Sequence, residues 1–187
     1  SKFSQSYTHY TDPDFQNGFG GLNEHYTQHE FYQSASVGYH ILPAWEMAYS
    51  SDLSVTNLQS DVYKFTYKYA FPTRYTLLNV LATDIVAGRW HFQGNVLHTY
   101  LAERVKNGQA AANRSVFSPT ATASFQPFEQ AGLLLRAFYK DIFRAPTFNE
   151  QYYYAIGLRN IKPEYTQQYN LGATYQKNMN GARRDVV

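Results

Sequence analysis

The stretch WHFQGNVLHTY, residues 90–100, alternates between two kinds of side chain. Trp90, Phe92, Val96 and Tyr100 share one face with Gly94 and His98, whereas His91, Gln93, Asn95, Leu97 and Thr99 form the other. A period of two predicts a half-buried β-strand. Ten steps of about 3.3 Å give roughly 33 Å of strand, and a tilt of about 45° reduces the rise to about 23 Å. That height is close to the apolar band of about 25 Å on a membrane-spanning β-barrel.

The same period recurs along the chain, and no stretch has a convincing helical period. The other segments with this alternation, which bring the count to about seven to eight strands, are 31–41, 45–50, 63–71, 117–125, 131–140 and 165–175. Short connections rich in Gly, Pro or Asn (42–44, 87–89, 126–129, 177–181) alternate with long ones (58–72, 104–115, 143–163). An antiparallel meander would therefore have tight turns at one end and long loops at the other, as outer-membrane barrels do. We predict another polar, Gly-rich connection over residues 1–28.

The composition favours a barrel over an ordinary soluble enzyme. The chain has 18 Tyr, 13 Phe and 2 Trp, only 16% charged residues and a mean hydropathy of −0.50. Tyr and Trp prefer membrane interfaces, and they recur at predicted strand ends, as Trp45 and Trp90 near turns and Tyr100 and Tyr165 near loops. The net charge of +2 does not indicate a nucleic-acid partner. The absence of cysteine excludes a thiol nucleophile and a cysteine-based zinc site.

Neither a transmembrane helix nor a signal peptide is predicted. The best apolar run, residues 77–87, is too short to span a membrane as a helix and contains Asn79 and Asp84. The chain opens on the polar sequence SKFS, which is unlike a signal peptide.

The stretch LRAFYKDIFRAPTFNEQY, residues 135–152, is a more specific signal, together with LRNIKPE at 158–164 and YNLGATY at 169–175. These segments resemble the motifs F-R-A-P-x-x-N-E-L-Y, N-x-x-L-K-P-E and Y-E-L-G-x-x-Y of TonB-dependent outer-membrane receptors. Gln151 and Ile161 stand where that family usually or often has Leu. The resemblance implies an active importer, driven through TonB by the inner-membrane proton gradient.

The resemblance implies an all-β fold: an antiparallel up-and-down meander that is part of a 22-stranded transmembrane β-barrel, and an open sheet in isolation. Residues 1–187 would be a partial TonB-dependent receptor β-barrel domain that lacks the plug, the TonB box and a C-terminal aromatic residue. The expected location is the cell outer membrane. The expected partners are the TonB complex (through the missing N-terminal parts), the lipid bilayer, and a small-molecule or metal-chelate substrate of the siderophore, cobalamin, haem or glycan class.

Five residues near the motif are candidates for substrate binding in an extracellular loop. Arg144 stands where the motif strand passes into its loop, and its alternative role is a fixed pairing with Glu150 or Glu164. The other candidates are Tyr152, Tyr153, Tyr154 and Arg159. Large rigid aromatic rings offer contact area at low entropic cost, although packing of the loop is the alternative for these tyrosines.

No catalytic residue, cofactor or metal site is expected. His25 and His29 have the spacing of a helical metal pair, but on a strand they would be about 13 Å apart. The stretch 12–18 offers oxygen ligands without EF-hand spacing and is expected to be a solvated turn. The alternative function is a soluble carbohydrate-binding β-sandwich that displays aromatic residues. A β-rich hydrolase is a third and less favoured alternative function, because the sequence shows no set of residues that could carry out catalysis.

Overall fold

The computed structural model describes residues 1–15, 21–61, 69–128, 132–153 and 161–176. In this part of the chain, eight strands form one antiparallel sheet in sequence order, with β1 and β8 at its open edges. The elements are β1 (Lys2–Asp12), β2 (Leu22–Leu42), β3 (Trp45–Ser60), β4 (Thr73–Ala87), β5 (Trp90–Arg104), β6 (Arg114–Phe125), β7 (Leu133–Arg144), α1 (Phe148–Tyr152) and β8 (Glu164–Tyr175). The predicted all-β antiparallel meander is confirmed. No helix in the described ranges has the length and apolar character needed to cross a membrane.

The two faces of the sheet differ in character. We call the face covered by α1 the inner face and the opposite one the outer face. One outer row consists of Trp45, Ile85, Phe92, Ala123, Ala137 and Leu171, which are paired across six strands. The inner row beside it contains Glu46, Asp84, Gln93 and Thr122. Large apolar side chains on the outer face are exposed, from Leu53 at 37% to Leu171 at 86%.

The connections are sorted by length, as predicted. Two-residue turns join β2 to β3 and β4 to β5, and Gly88 in the second has φ +60°, a conformation that such hairpin turns need and glycine adopts easily. We call this side the turn end. The other side, the loop end, carries the connections over 61–72, 105–113 and 145–163.

Aromatic rings cluster toward both ends of the outer face. At the turn end, the Trp90 ring stacks on Phe125 with centroids 4.3 Å apart. Nearer the loop end, Tyr139 lies 5.0 Å from Tyr169, and the Phe143 and Tyr165 rings lie 5.4 Å apart. Aromatic residues therefore border the apolar band, the arrangement of an aromatic girdle.

The prediction of a connection over residues 1–28 was wrong. Among its described residues, 2–12 form β1 and 22–28 form the first third of β2, and the two strands pair in register from Lys2↔Tyr32 to Asp12↔Leu22. Polar side chains occupy both faces of this hairpin beyond the apolar band, so the period-two signal is weak although the backbone ladder is continuous.

Two further differences concern β4 and the segment 63–71. No strand was predicted over residues 77–87, which the sequence analysis treats only as an apolar run. These residues lie within β4, where the adjacent Leu77 and Leu78 obscure the alternation of apolar and polar side chains. Of the strand predicted over 63–71, residues 63–68 lie outside the described residues, and residues 69–71 are not in a strand.

Candidate functional site at the loop end

The helix α1 starts the long connection after β7 and is built on a capping box. Thr147 Oγ1 accepts a hydrogen bond from the Glu150 backbone N–H (3.3 Å), and the Glu150 carboxylate accepts one from the Thr147 N–H (2.7 Å). A helix of five residues is too short to be stable alone. Its position therefore depends on the surface that it covers.

A hydrophobic cluster, which we call the loop-end core, holds α1 against the inner face. Its members come from β2, β3, the connection before β4, and the α1 segment: Tyr26, Leu58, Tyr69, Ala70, Phe148, Tyr152 and Tyr153. The Tyr153 ring lies parallel to that of Tyr26, with centroids 3.8 Å apart. The connection after β7 thus reaches across the sheet as far as β2.

Arg74 of β4 anchors the same segment with polar contacts. Its Nε donates to Glu103 Oε1 (2.7 Å), and Nη1 and Nη2 donate to the Pro146 carbonyl (2.7 Å) and to Gln151 Oε1 (2.5 Å). The guanidinium also lies 4.7 Å from the centre of the Phe148 ring. The side chains of Arg74 and Glu103 are only 13% and 1% exposed. A buried charge pair with this many hydrogen bonds is well compensated.

Tyr152 completes this network from α1. Its hydroxyl donates to the second carboxylate oxygen of Glu103, so that Glu103 accepts bonds from both Arg74 and Tyr152. Burial, and then the hydrogen bond to Glu103, raise the pKa of Tyr152 above its ordinary value. The phenol therefore stays protonated and serves as a donor.

Arg144, at the end of β7, forms a second and more exposed set of ion pairs. Its Nη2 lies 3.0 Å from Glu150 Oε1 and 2.7 Å from Glu164 Oε1, and its Nε donates to Glu164 Oε2 (3.0 Å). Hydrogen bonds from Arg144 and from the Thr147 backbone lower the pKa of Glu150 to about 2. This arginine therefore links the start of α1 to the start of β8.

The five predicted substrate residues are placed differently. Arg144 is 46% exposed and paired with both carboxylates that the sequence suggested as alternatives. Tyr152 and Tyr153 are buried in the loop-end core, at 4% and 8% exposure. Tyr154 and Arg159 lie outside the described residues. The structure thus brings Arg144, Tyr152 and Tyr153 to one end of the sheet, and their contact with a substrate stays a prediction.

Sequence reasoning missed Arg74, Glu103 and Gln151. Arg74 and Glu103 belong to no motif, and they meet because the β4–β5 register pairs them directly. Gln151 carried a signal that could have been used, since it stands where the resembled family usually has Leu. Its buried side chain, 4% exposed, accepts a hydrogen bond from Arg74. The departure from the motif is therefore matched by a polar partner.

The candidate metal residues have other partners. His25 Nδ1 lies 2.7 Å from Asp61 Oδ2, and the His25 ring stacks on His9 at 4.3 Å, whereas His29 lies beside Phe3. Within the described ranges, no group of three or more His, Asp or Glu side chains could hold a metal ion. In the stretch 12–18, the Asp14 N–H donates a hydrogen bond to Asp12 Oδ1 (3.1 Å). Residues 16–18 of this stretch lie outside the described residues.

Comparison with protein families yields a match over nearly the whole chain. Residues 1–183 match the family model described as TonB dependent receptor-like, beta-barrel. The match extends well beyond the motifs at 135–175 and includes the strands β1–β6. No curated protein matches the chain.

Proposed function

The chain belongs to the TonB-dependent receptor β-barrel family, and on that premise we propose that residues 1–187 form part of the wall of a 22-stranded importer in the outer membrane. Members of this family are outer-membrane receptors and transporters rather than enzymes. The proposed importer takes up a small molecule or metal chelate of the siderophore, cobalamin, haem or glycan class. Uptake is coupled to the TonB complex through parts of the protein outside this chain.

The observation that carries the proposal is the exposed outer face. A soluble sandwich would bury such a face as its core, whereas Leu81 is 50% exposed and Leu171 86% exposed here. Open sheet edges such as those of β1 and β8 are not tolerated in lipid. Both features support a wall that continues with further strands in a membrane, rather than the soluble carbohydrate-binding sandwich.

The loop end is the proposed region of substrate recognition. Buried Tyr152 and Tyr153 and ion-paired Arg144 fix the start of the connection over 145–163. We assign Tyr154 and Arg159, which follow this anchored segment in the sequence, to direct contact with substrate. Because Arg144 is partly exposed, it is the third candidate for contact, in addition to its pairing role.

The orientation of the wall can be tested with two neighbouring apolar residues of β4. Leu81 lies on the outer face and Val80 on the inner face, so Leu81→Arg and Val80→Arg place the same charge on opposite sides of one strand. A lipid-facing arginine near the bilayer centre costs about 2–4 kcal/mol. We expect Leu81→Arg to lower the amount of heat-modifiable protein in outer membranes much more than Val80→Arg. Equal effects, or a greater effect of Val80→Arg, would reject this orientation.

The transport proposal needs a separate test in cells. A strain that lacks the full-length gene is grown on single nutrients, and uptake of any affected nutrient is measured. The complementing variant replaces residues 154–160 with a Gly-Ser segment of equal length. We expect uptake to be lost in the deletion strain and reduced in this variant, at an unchanged level of folded protein. No effect of the deletion on any nutrient would refute the importer.

A further inference from the structure

The strand β7 carries basic residues along its inner face. Arg136, Lys140 and Arg144 follow one another at intervals of four residues, so all three lie on the same face of the strand, and their side chains are exposed. Arg144 is paired with two carboxylates, whereas Arg136 and Lys140 form no ion pair within the described residues. Two positive charges on this face are therefore available to another partner.

These two charges lie at the depth of the membrane band. Arg136 is directly opposite Ser124, next to Phe125 of the turn-end ring stack, and Lys140 follows Tyr139, whose ring belongs to the aromatic cluster nearer the loop end. Ionisable residues at membrane depth face the protein interior and commonly mark the path of a substrate or ion. Residues on the lumen side of a barrel also determine its selectivity.

The surroundings of the two charges offer hydrogen bonds and an aromatic ring. Thr120 of β6 and Gln168 of β8 flank Lys140 on either side in the sheet. Phe138 lies between Lys140 and Arg136 on the same face of β7. Cations on either side of a ring match an organic anion, in which carboxylate or phosphate groups are attached to an apolar body.

The inner face of β3 and β4 has the opposite charge. Glu46 and Asp84 are directly opposite each other, and Asp52 lies further along β3 on the same face. Neighbouring strands are about 4.8 Å apart, which puts β4 about 14 Å from β7, farther than the Debye length of about 8 Å at physiological ionic strength. The acidic residues therefore do not neutralise β7, and an anion beside this face is directed to β7 rather than to β3 or β4.

We propose that Arg136, Phe138 and Lys140 form a binding site for an organic anion on the lumen side of the importer wall. Its carboxylate or phosphate groups pair with the two cations, and its apolar body packs on Phe138. Four residues of strand span about 13 Å, so an anion midway between the cations is about 7 Å along the strand from each, within one Debye length. The inference rests on the proposed function, since it takes the inner face as the lumen and narrows the substrate to an anion.

Chemical labelling of Lys140 in the purified full-length protein tests this site. Pyridoxal phosphate, an aromatic aldehyde with a phosphate group, forms an imine with a lysine amine, and borohydride reduces the imine to a secondary amine that mass spectrometry locates. Pyridoxal is the matched probe without phosphate, and the exposed Lys162 is the internal reference. Relative to Lys162, we expect pyridoxal phosphate to label Lys140 about threefold to fivefold faster than pyridoxal does, the preference of one exposed charge interaction.

Arg136→Gln should remove this preference, because the phosphate loses its second cation. The matched control is Arg104→Gln, which removes a positive charge from the outer face of β5 and should leave the preference unchanged. An unchanged preference in folded Arg136→Gln protein overturns the site. A Lys140 that neither probe labels also overturns it, because another segment of the full-length protein would then cover these residues.

A second measurement uses the nutrient that the deletion strain fails to take up. We expect this nutrient to be an anion at neutral pH, and Arg136→Gln to raise the concentration for half-maximal uptake by about threefold to fivefold at an unchanged level of folded protein. A neutral or cationic nutrient, or unchanged uptake by the variant, overturns the site. Either result would still show an importer, whereas a deletion that affects no nutrient refutes the importer itself, so the two failures are distinguishable.

Discussion

Two arginines at the loop end form ion pairs, and they differ mainly in burial. Arg144 has two carboxylate partners and lies in the family motif, but its side chain is 46% exposed. Among the described residues, Arg74 has one carboxylate partner; it lies in no motif, yet Glu103 beside it is 1% exposed. Exposed pairs contribute little, whereas breaking a buried pair leaves a charge without compensation. We therefore expect Arg74, rather than the arginine of the motif, to hold the α1 segment in place.

The largest effect is expected from Arg74→Ala. The change leaves the buried Glu103 carboxylate without its cation and removes donors to Pro146 and Gln151, which should lower the free energy of unfolding by about 3–5 kcal/mol. Denaturant titration of the full-length protein refolded into vesicles measures the loss. Arg144→Ala is the matched control and should have a much smaller effect. If both variants lose the same stability, burial is not what separates the two arginines.

A smaller effect is expected from Tyr152→Phe. This variant keeps the ring in the loop-end core but removes the donor to Glu103, at a cost of about 1–3 kcal/mol for a buried acceptor that loses one of its bonds. Tyr153→Phe is the control, since its described contact is the ring stack on Tyr26. Both variants are compared by the same denaturant titration. A loss for Tyr153→Phe as great as that for Tyr152→Phe would mean that the hydrogen bond to Glu103 is not what distinguishes the Tyr152 hydroxyl.

The smallest effect is expected at Glu150 and depends on pH. Arg144 and the Thr147 backbone lower the folded-state pKa of Glu150 to about 2 from an ordinary 4.5, so its contribution to stability is present above about 4.5 and is lost as the pH falls toward 2. Glutamine at this position still caps α1 but carries no charge. The difference in unfolding midpoint between the protein and Glu150→Gln should therefore shrink over this pH range.

A series of titrations between pH 7 and pH 2 checks this prediction. Glu103→Gln provides the contrast, because it disrupts a buried network and should be destabilising throughout the range in which the protein folds. A Glu150→Gln difference that grows as the pH falls would contradict the lowered pKa.

What could be predicted from the sequence follows from how local each signal is. The strand β5 was evident because residues 90–100 have one apolar and one polar face within the membrane band. The hairpin formed by β1 and the first third of β2 was not predicted, because it carries polar side chains on both faces. This hairpin is held together by backbone hydrogen bonds between its two strands. Such bonds produce no alternation of apolar and polar residues in the sequence of either strand.

The candidate site shows the same limit. Arg144 and its carboxylates lie within 20 residues of each other, inside a recognisable motif. Arg74 and Gln151 are 77 residues apart, and they meet only because the connection after β7 crosses the sheet. Gln151 differs from the usual Leu, but the sequence alone does not reveal which buried donor it satisfies. Contacts of this kind depend on register and on the path of a loop.

The path of the connection after β7 also has a consequence for the order of assembly. Strand pairing in this sheet can proceed from one hairpin to the next, through contacts that are close in sequence. The α1 segment has no complete docking surface until β2, β3, β4 and β5 are side by side, because its contacts come from all four. Contacts with such large sequence separation form late in folding. Docking of α1 would then be the last step, because it requires that β2, β3, β4 and β5 have already paired in the correct order.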